Sequence, residues 1–167
     1  MYNHEPPDYR CPLCAIAQGI EEKDFPQTKQ ADIIFQDEMV TCFVASVWLP
    51  QNKGHVIVIP NQHFENLYDL PDDFSARISS VARKTAIVIK EAYCCDGIST
   101  RQHNEPAGDQ YVWHYHLHIY PRYQNDNFYS SRGQDKLVSP EERISFVEKL
   151  RSRFKNPGLK LSVCKCV

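Results

Sequence analysis

The chain has 167 residues, a length typical of one domain that can bury a sizeable core. Its 19 basic and 21 acidic residues give a formal net charge of −2, without the block of like charge that marks a nucleic-acid groove. The sequence contains no apolar run near the roughly 20 residues that span a bilayer, and its polar start lacks the apolar core of a signal peptide. We therefore expect a cytoplasmic protein that binds neither membranes nor nucleic acid.

A Cys-x-x-Cys motif opens the structured part of the chain. The first ten residues are polar and contain proline, so we expect a loosely ordered lead-in to Cys11 and Cys14. This spacing lets a tight turn direct both sulfurs at one metal ion. A thioredoxin-like redox pair is the alternative, but it requires a strand before the motif, and nothing before Cys11 resembles one. The spacing favours zinc.

Alternating strand and helix signals follow the motif. The β-branched and aromatic runs 32–36 and 40–44, with Asp-Glu between them, predict a hairpin, and 55–60 predicts a buried strand that ends in proline. Residues 71–93 carry an apolar stripe at helical spacing behind an N-terminal proline and two acidic residues, which predicts the longest helix. Residues 97–102 predict the next strand. We expect Cys42, Cys94 and Cys95, which lie in apolar segments, to be core residues.

Three histidines at alternate positions dominate the next segment, 113–122. Read as a strand ended by Pro121, it places the three imidazoles on one face and the apolar side chains on the other: His114, His116, His118 against Trp113, Tyr115, Leu117, Ile119. Neutral imidazoles act as ligands, bases or nucleophiles, so the pattern favours a site over an exposed strand that happens to carry histidines. A three-histidine metal site is an alternative, although convergence of all three on one ion would be strained.

An amphipathic pattern at 140–154 predicts a second helix near the C-terminus. The resulting order β-β-β-α-β-β-α, with few crossovers, predicts an antiparallel sheet with helices on one side, which is an α+β fold. We expect one domain without internal repeats.

Four separate motifs in this order resemble the histidine triad (HIT) superfamily. They are the Cys-x-x-Cys at 11–14, the segment 53–63, the loop 104–110 and the histidine strand that ends in Pro121-Arg122. Together they are far more specific than three alternating histidines alone.

The resemblance implies a HIT-like fold, a five-stranded antiparallel sheet with a long helix on one side and a C-terminal helix. The whole chain, 1–167, would be a single HIT domain, with its core at about 11–125 and a C-terminal helical extension at about 126–167. Members of this superfamily commonly pair as homodimers whose sheets form one continuous layer, so a homodimer is expected.

The resemblance also assigns the catalytic histidines. His116, the middle one, would attack phosphorus and carry a covalent nucleotidyl group. His118, with His55, Asn104 and Gln110, would contact phosphate or the neighbouring ribose. Taken singly, Asn104 could instead stabilise a turn and Gln110 could cap a strand end.

A structural zinc is the implied cofactor. In the branch of the superfamily with an N-terminal Cys-x-x-Cys, the metal is bound by residues that match Cys11, Cys14, His63 and His114, a closed Cys₂His₂ site. The alternative for His63 is a solvated loop histidine. No metal would take part in the reaction itself.

The expected activity is hydrolysis of a phosphoanhydride or phosphoramidate bond in a nucleotide, such as a dinucleoside polyphosphate or a nucleoside phosphoramidate. His118 favours a hydrolase over a uridylyltransferase, in which glutamine ends the motif. No carboxylate follows Phe43, where many members grip ribose hydroxyls. A catalytically weak nucleotide-binding or interaction module, or a nucleotidylyltransferase, therefore remains as an alternative.

Overall fold

The computed structural model describes residues 2–21, 27–131 and 133–155. In chain order its elements are α1 (Pro12–Ala17), β1 (Ile33–Gln36), β2 (Val40–Val44), β3 (Val47–Trp48), β4 (Val56–Pro60), α2 (Asp72–Tyr93), β5 (Gly97–Gln102), β6 (Leu117–Arg122), β7 (Lys136–Leu137) and α3 (Pro140–Lys155), with 3₁₀ turns at Gln30–Asp32 and Pro106–Gly108.

Five of the strands form one antiparallel sheet in the order β1-β2-β4-β6-β5, and β3 pairs with β7 beside it. Within the sheet, His118 of β6 lies opposite Ile57 of β4 on one side and Arg101 of β5 on the other. The predicted α+β class, the five-stranded antiparallel sheet, the long helix and the C-terminal helix are all confirmed.

Helices α2 and α3 bury the main core against one face of the sheet. From α2, Ile78 and Ile89 pack among the apolar side chains of the strands, because their helical spacing places them on one stripe. Val147 and Leu150 of α3 join the same cluster. Among the described helices, none combines the length and apolar character needed to cross a bilayer.

The cysteines outside the Cys-x-x-Cys motif differ in burial. Cys42 and Cys95 are buried, as predicted. Cys94 is exposed and adopts a left-handed conformation with φ of 54° at the end of α2, so its prediction as a core residue is wrong. Because the helix ends at this left-handed residue, the helical spacing that buries the apolar stripe of α2 does not extend to Cys94. Cys164 and Cys166 lie outside the described residues.

The opposite face of the sheet carries the short helix α1. Ile16 packs there against Phe43 and Ile59, which anchors the helix to β2 and β4. The Cys-x-x-Cys motif is therefore the start of a helix rather than an isolated tight turn. Cys11 caps this helix, since its sulfur accepts the backbone N–H of Cys14 at 3.3 Å.

Residues 2–10 are held against the body of the protein, so the expectation of a loosely ordered lead-in is wrong. The buried carboxylate of Glu65 accepts the backbone N–H groups of His4 and Glu5, at 2.6 and 3.0 Å. The Tyr9 hydroxyl accepts the backbone N–H of Trp113. The segment is largely exposed, yet these hydrogen bonds attach it to the rest of the protein.

The histidine strand begins later than predicted. Strand β6 starts at Leu117, so His114 and His116 lie in the segment before it, and the prediction of three histidines on one strand face is wrong. The backbone N–H of Tyr115 donates to Phe64 rather than to a neighbouring strand, which keeps this segment out of the ladder.

Pro121 does not end the strand either. It pairs with Ile98 of β5, whereas β4 extends only as far as the pair Val56–Ile119. Beyond that pair β6 has a neighbour on one side only, and an edge position of this kind tolerates a residue without an N–H.

A buried ion pair ties α3 to the segment before β1. Arg143 is 1% exposed and donates to both carboxylate oxygens of Asp32, at 2.8 and 2.9 Å, and also to the carbonyls of Gln27 and Val138. Each partner neutralises a charge that would be costly to bury alone.

Candidate active site and metal site

Four imidazoles lie together where β4 and β6 begin, on the sheet face opposite α2. Measured from the ring of His118, the centroid distances are 5.0 Å to His116, 5.3 Å to His55 and 6.3 Å to His103. The site therefore contains the predicted His55, His116 and His118 and one histidine that the sequence analysis missed.

The tautomer of His116 is fixed by its backbone contact. Its Nδ1 lies 2.7 Å from the carbonyl oxygen of His114, and a carbonyl can only accept, so Nδ1 carries the proton. In the neutral ring Nε2 then has a free lone pair. Burial lowers the pKa of His116 to about 4, which keeps the ring neutral near pH 7.

His55 and His118 form a second defined contact, with Nε2 of His55 at 3.2 Å from Nδ1 of His118. One of the two nitrogens must donate. The Nδ1 of His55 is buried without a partner among the described residues, and a buried N–H without an acceptor is rarer than an unpaired acceptor. We therefore place the proton on Nε2 of His55, which leaves His118 with an N–H at its Nε2.

Burial also keeps both of these rings neutral. It lowers the pKa of His55 to about 3 and that of His118 well below its ordinary value, and the nearby imidazoles and the Arg101 cation lower the latter further.

The loop between β5 and β6 brings Asn104 and Gln110 beside the histidines, but their amides are occupied. Gln110 is buried, accepts the backbone N–H of Glu105 at 2.8 Å and donates to the carbonyls of Glu65 and Val112. Asn104 exchanges two hydrogen bonds with the Gln102 amide and accepts from the backbone of Leu67. This geometry favours the structural alternatives, in which Asn104 stabilises a turn and Gln110 satisfies backbone groups before the strand, over a direct contact with a ligand.

Backbone strain marks the same loop. Glu105 has φ of 61° and ψ of 163°, a region that is essentially restricted to glycine. The conformation is held by the Gln110 amide and by contacts of the Glu105 carboxylate with Tyr68 and His4. The loop is therefore shaped by the protein before any ligand binds.

His103 is the residue that the sequence analysis missed. Its Nδ1–H donates to the carbonyl of Gly108 at 2.7 Å, so its Nε2 is unprotonated in the neutral ring. The available signal was its position, one residue before the loop motif. Without the loop geometry, that position could not show that the ring faces His118.

The predicted metal ligands converge. The ligand atoms of Cys11, Cys14, His63 and His114 all lie within 4.8 Å of one another. The sulfur-to-Nδ1 distances are 3.2 Å for Cys14 and His63, and 3.3 and 3.4 Å from His114 to Cys11 and Cys14. In a tetrahedral zinc site the corresponding separation is about 3.6 Å.

The outer nitrogens of both imidazoles are tied to acceptors, which turns each Nδ1 inward as a ligand. His114 donates from Nε2 to the carbonyl of Pro60 at 3.0 Å, and His63 donates from Nε2 to the carboxylate of Glu5 at 3.0 Å. Metal-bound histidines typically have such partners. The donor set and its geometry therefore fit zinc.

The two thiols share one negative charge. The hydrogen bond from Cys14 lowers the pKa of Cys11 and raises that of Cys14, and the nearby imidazoles of His114 and His63 favour the Cys11 thiolate further. A thiolate at this position is the form that binds a metal.

A five-stranded antiparallel sheet with a long helix, a histidine cluster at the start of β6 and a Cys₂His₂ set beside it define a small domain of the histidine triad class. The HIT domain family model matches residues 27–125, and the chain belongs to this family.

Individual relatives agree with this assignment. The chain is 33% identical over 138 residues to an uncharacterised HIT-like protein of Methanocaldococcus jannaschii, covering 83% of this chain and 98% of the relative. It is 27% identical over 146 residues to an adenosine 5′-monophosphoramidase of Schizosaccharomyces pombe, covering 87% and 98%. A zinc-bound histidine triad protein of Mycobacterium smegmatis superposes with a TM-score of 0.69 at 27% identity, covering 87% and 93%.

Proposed function

We propose that this protein hydrolyses a phosphoanhydride or phosphoramidate bond in a nucleotide through a covalent intermediate on His116. The observation that carries the proposal is the hydrogen bond from His116 Nδ1 to the His114 carbonyl, which leaves Nε2 as an unprotonated nucleophile.

The reaction has two displacements at one phosphorus atom. Nε2 of His116 forms a bond to phosphorus while the bond from phosphorus to the leaving group breaks, and the electron pair departs with the leaving group. Water then forms the new phosphorus–oxygen bond, the phosphorus–nitrogen bond breaks back to His116, and the water protons pass to solvent. The products are a nucleoside monophosphate and the leaving group.

His118 acts on the leaving group. With its Nδ1 accepting from His55, its Nε2–H points away from that contact and is available to donate to the departing atom. His55 fixes this tautomer. His118 can donate this proton, and His55 can fix its tautomer, while both rings are neutral.

The substrate class is supported by the family and by one relative. The protein of Schizosaccharomyces pombe is named an adenosine 5′-monophosphoramidase. In the present chain the residues after Phe43 are Val44, Ala45 and Ser46, all buried and none acidic. We therefore expect ribose to be held without a carboxylate at this position.

We propose that Cys11, Cys14, His63 and His114 bind a structural zinc next to the histidine site. When bound, it supplies a rigid cross-link and no chemistry in the reaction. The residue that donates Nδ1 to the metal site, His114, is also the residue whose carbonyl orients His116. Fixing this one residue therefore positions the nucleophile.

We also propose that two copies of the chain pair as a homodimer. In the described part of the sheet β5 has a neighbour on only one side, and its residues are mostly half-buried. An edge of this kind can accept a strand from a second copy. Light scattering measures the assembly directly.

The experiment combines intact-mass spectrometry with steady-state kinetics on a panel of adenosine phosphoramidates and diadenosine polyphosphates. A nucleotidyl adduct on wild-type protein, and its absence in His116→Ala, is the expected result, with activity falling at least 1,000-fold, on the order expected for a lost nucleophile. Tyr115→Phe is the matched control, because Tyr115 is the neighbouring buried residue on the core side. Equal turnover by wild type and His116→Ala would leave the binding-module alternative.

A further inference from the structure

Arg101 shares a sheet face with the reactive histidines. It lies directly opposite His118 in the pairing of β5 with β6, and side chains of such a pair point to the same face with Cβ atoms about 5 Å apart. Burial is the main cause of the lowered pKa of His118, and the charge of Arg101 lowers it further. The guanidinium carbon lies 5.8 Å from the Tyr120 ring, which stacks on the His118 ring at 5.6 Å, so it is close to the residue proposed to act on the leaving group.

This guanidinium has no anionic partner among the residues that the structure describes. Arg101 forms no hydrogen bond or ion pair with the described part of the chain. The other arginine on this face, Arg122, is neutralised by a bidentate contact with Asp126 at 2.6 and 2.9 Å. Asp135 acts electrostatically on Tyr120 nearby, yet it forms no ion pair with Arg101 in the described residues. Within the described part of the chain, Arg101 is thus a half-buried cation without an anionic partner beside a candidate phosphate site.

Aromatic rings hold Arg101 in place. The guanidinium carbon lies 4.1 Å from the ring centroid of Phe128, 5.6 Å from that of Tyr129 and 5.8 Å from that of Tyr120. Stacking of this kind uses the face of the guanidinium and leaves its in-plane N–H groups free to donate. Tyr129 is 75% exposed, so the surface is open to solvent.

We propose that Arg101 binds an anionic leaving group, so that the preferred substrates of this protein are nucleotides whose leaving group carries its own phosphate or sulfate. The inference rests on the proposed function and specifies its substrate class. A planar guanidinium with free donors matches the oxygens of phosphate or sulfate bidentately.

The chemistry separates this class from phosphoramidates. When an anhydride bond to phosphorus breaks, the electron pair goes to an oxygen of a phosphate or sulfate, whose negative charge a nearby guanidinium stabilises. When a phosphoramidate bond breaks, the electron pair goes to nitrogen, which takes up a proton and departs as a neutral amine or ammonia. A fixed cation stabilises the departing phosphate or sulfate but does not stabilise a departing neutral amine.

The test compares diadenosine triphosphate and adenosine 5′-phosphosulfate with adenosine 5′-phosphoramidate, using full-length zinc-loaded protein. In Arg101→Gln, kcat/KM for the two anionic substrates is expected to fall about 10- to 100-fold, the range for a lost hydrogen bond to a charged group. For the phosphoramidate it should change less than about twofold. Arg101→Lys keeps the charge but not the paired N–H donors of the guanidinium, so it should recover part of the loss. Arg83→Gln is the matched control, because it removes the same charge from an exposed position on α2, across the sheet.

Two outcomes overturn the inference while the proposed function stands. One is an equal loss on all three substrates in Arg101→Gln, which would make Arg101 a structural residue. The other is a wild-type protein that forms the His116 adduct and hydrolyses the phosphoramidate but neither anionic substrate. If wild type forms no adduct and hydrolyses none of the three, the proposed function fails, and the inference fails with it.

Discussion

Removing zinc should lower stability without a direct effect on the nucleophile. Four protein ligands close the site, and they come from three separate parts of the chain. If free zinc exceeds its dissociation constant 1,000-fold, binding contributes about 4 kcal/mol to the free energy of unfolding. For a domain of this size each kcal/mol corresponds to roughly 2–4 °C, so chelation should lower Tm by roughly 8–16 °C.

The structure also locates the effect. Ile16 keeps α1 anchored on Phe43 and Ile59 without metal, and Glu65 holds the segment before it. Hydrogen exchange should therefore accelerate mainly around Cys11 and in the loop of His63, while residues in the sheet keep their protection.

The assay combines metal analysis, a melting curve with and without chelator, and the rate of His116 modification by a phosphoramidate. Cys14→Ser should melt at the temperature of chelated wild type and no longer respond to chelator. Cys42→Ala, which removes a buried cysteine outside the site, is the control, and its response to chelator should equal that of wild type. A metal-free preparation that melts at the wild-type temperature, or an instant and reversible loss of activity with no change in Tm, would refute the reasoning.

Two further predictions concern buried charge. In the unfolded chain the His55 ring takes up a proton as the pH falls through about 6.5, whereas in the folded protein its pKa is about 3. The contribution of this ring to stability is therefore fully present above pH 6.5 and decreases below it. Between pH 7 and 5, the free energy of unfolding measured in urea should therefore fall by about 2 kcal/mol less for His55→Phe than for wild type. Equal pH dependence of this free energy in the two proteins would contradict the prediction. Arg143→Met should lower the free energy of unfolding by about 3–5 kcal/mol, because it leaves the buried carboxylate of Asp32 without a partner. Adding Asp32→Asn to this variant should restore part of the loss. A double variant no more stable than Arg143→Met would exclude the unpaired buried carboxylate as the cause.

Local signals were sufficient for most of the fold. Strand β5 was predicted with its observed bounds, and α2 within one residue, because each has a strong period and clear ends. The pair β3 and β7 was missed, since each strand has two residues and the pairing spans about 90 positions. A contact of that range leaves no trace in a local pattern.

The candidate site shows where periodicity misleads. The alternation around His116 is a strand pattern, but the backbone there bonds to Phe64, a partner that only the tertiary fold supplies. The residue types of Asn104 and Gln110 suggested ligand contacts, but their amides are bonded to other groups of the protein. Neither His103 nor Arg101 belonged to a motif: the pairing of β5 with β6 places Arg101 opposite His118, and the loop after β5 places His103 near the same ring.

The spacing of the Cys₂His₂ set also has a consequence for synthesis of the chain. Cys11 emerges from the ribosome 103 residues before His114, its last partner. At about 5–20 residues per second, the two thiols wait roughly 5–20 s before all four ligands exist. Throughout that interval the Cys-x-x-Cys is an open dithiol, which an oxidant can close into a disulfide. Assembly of the site therefore depends on a reducing environment during translation.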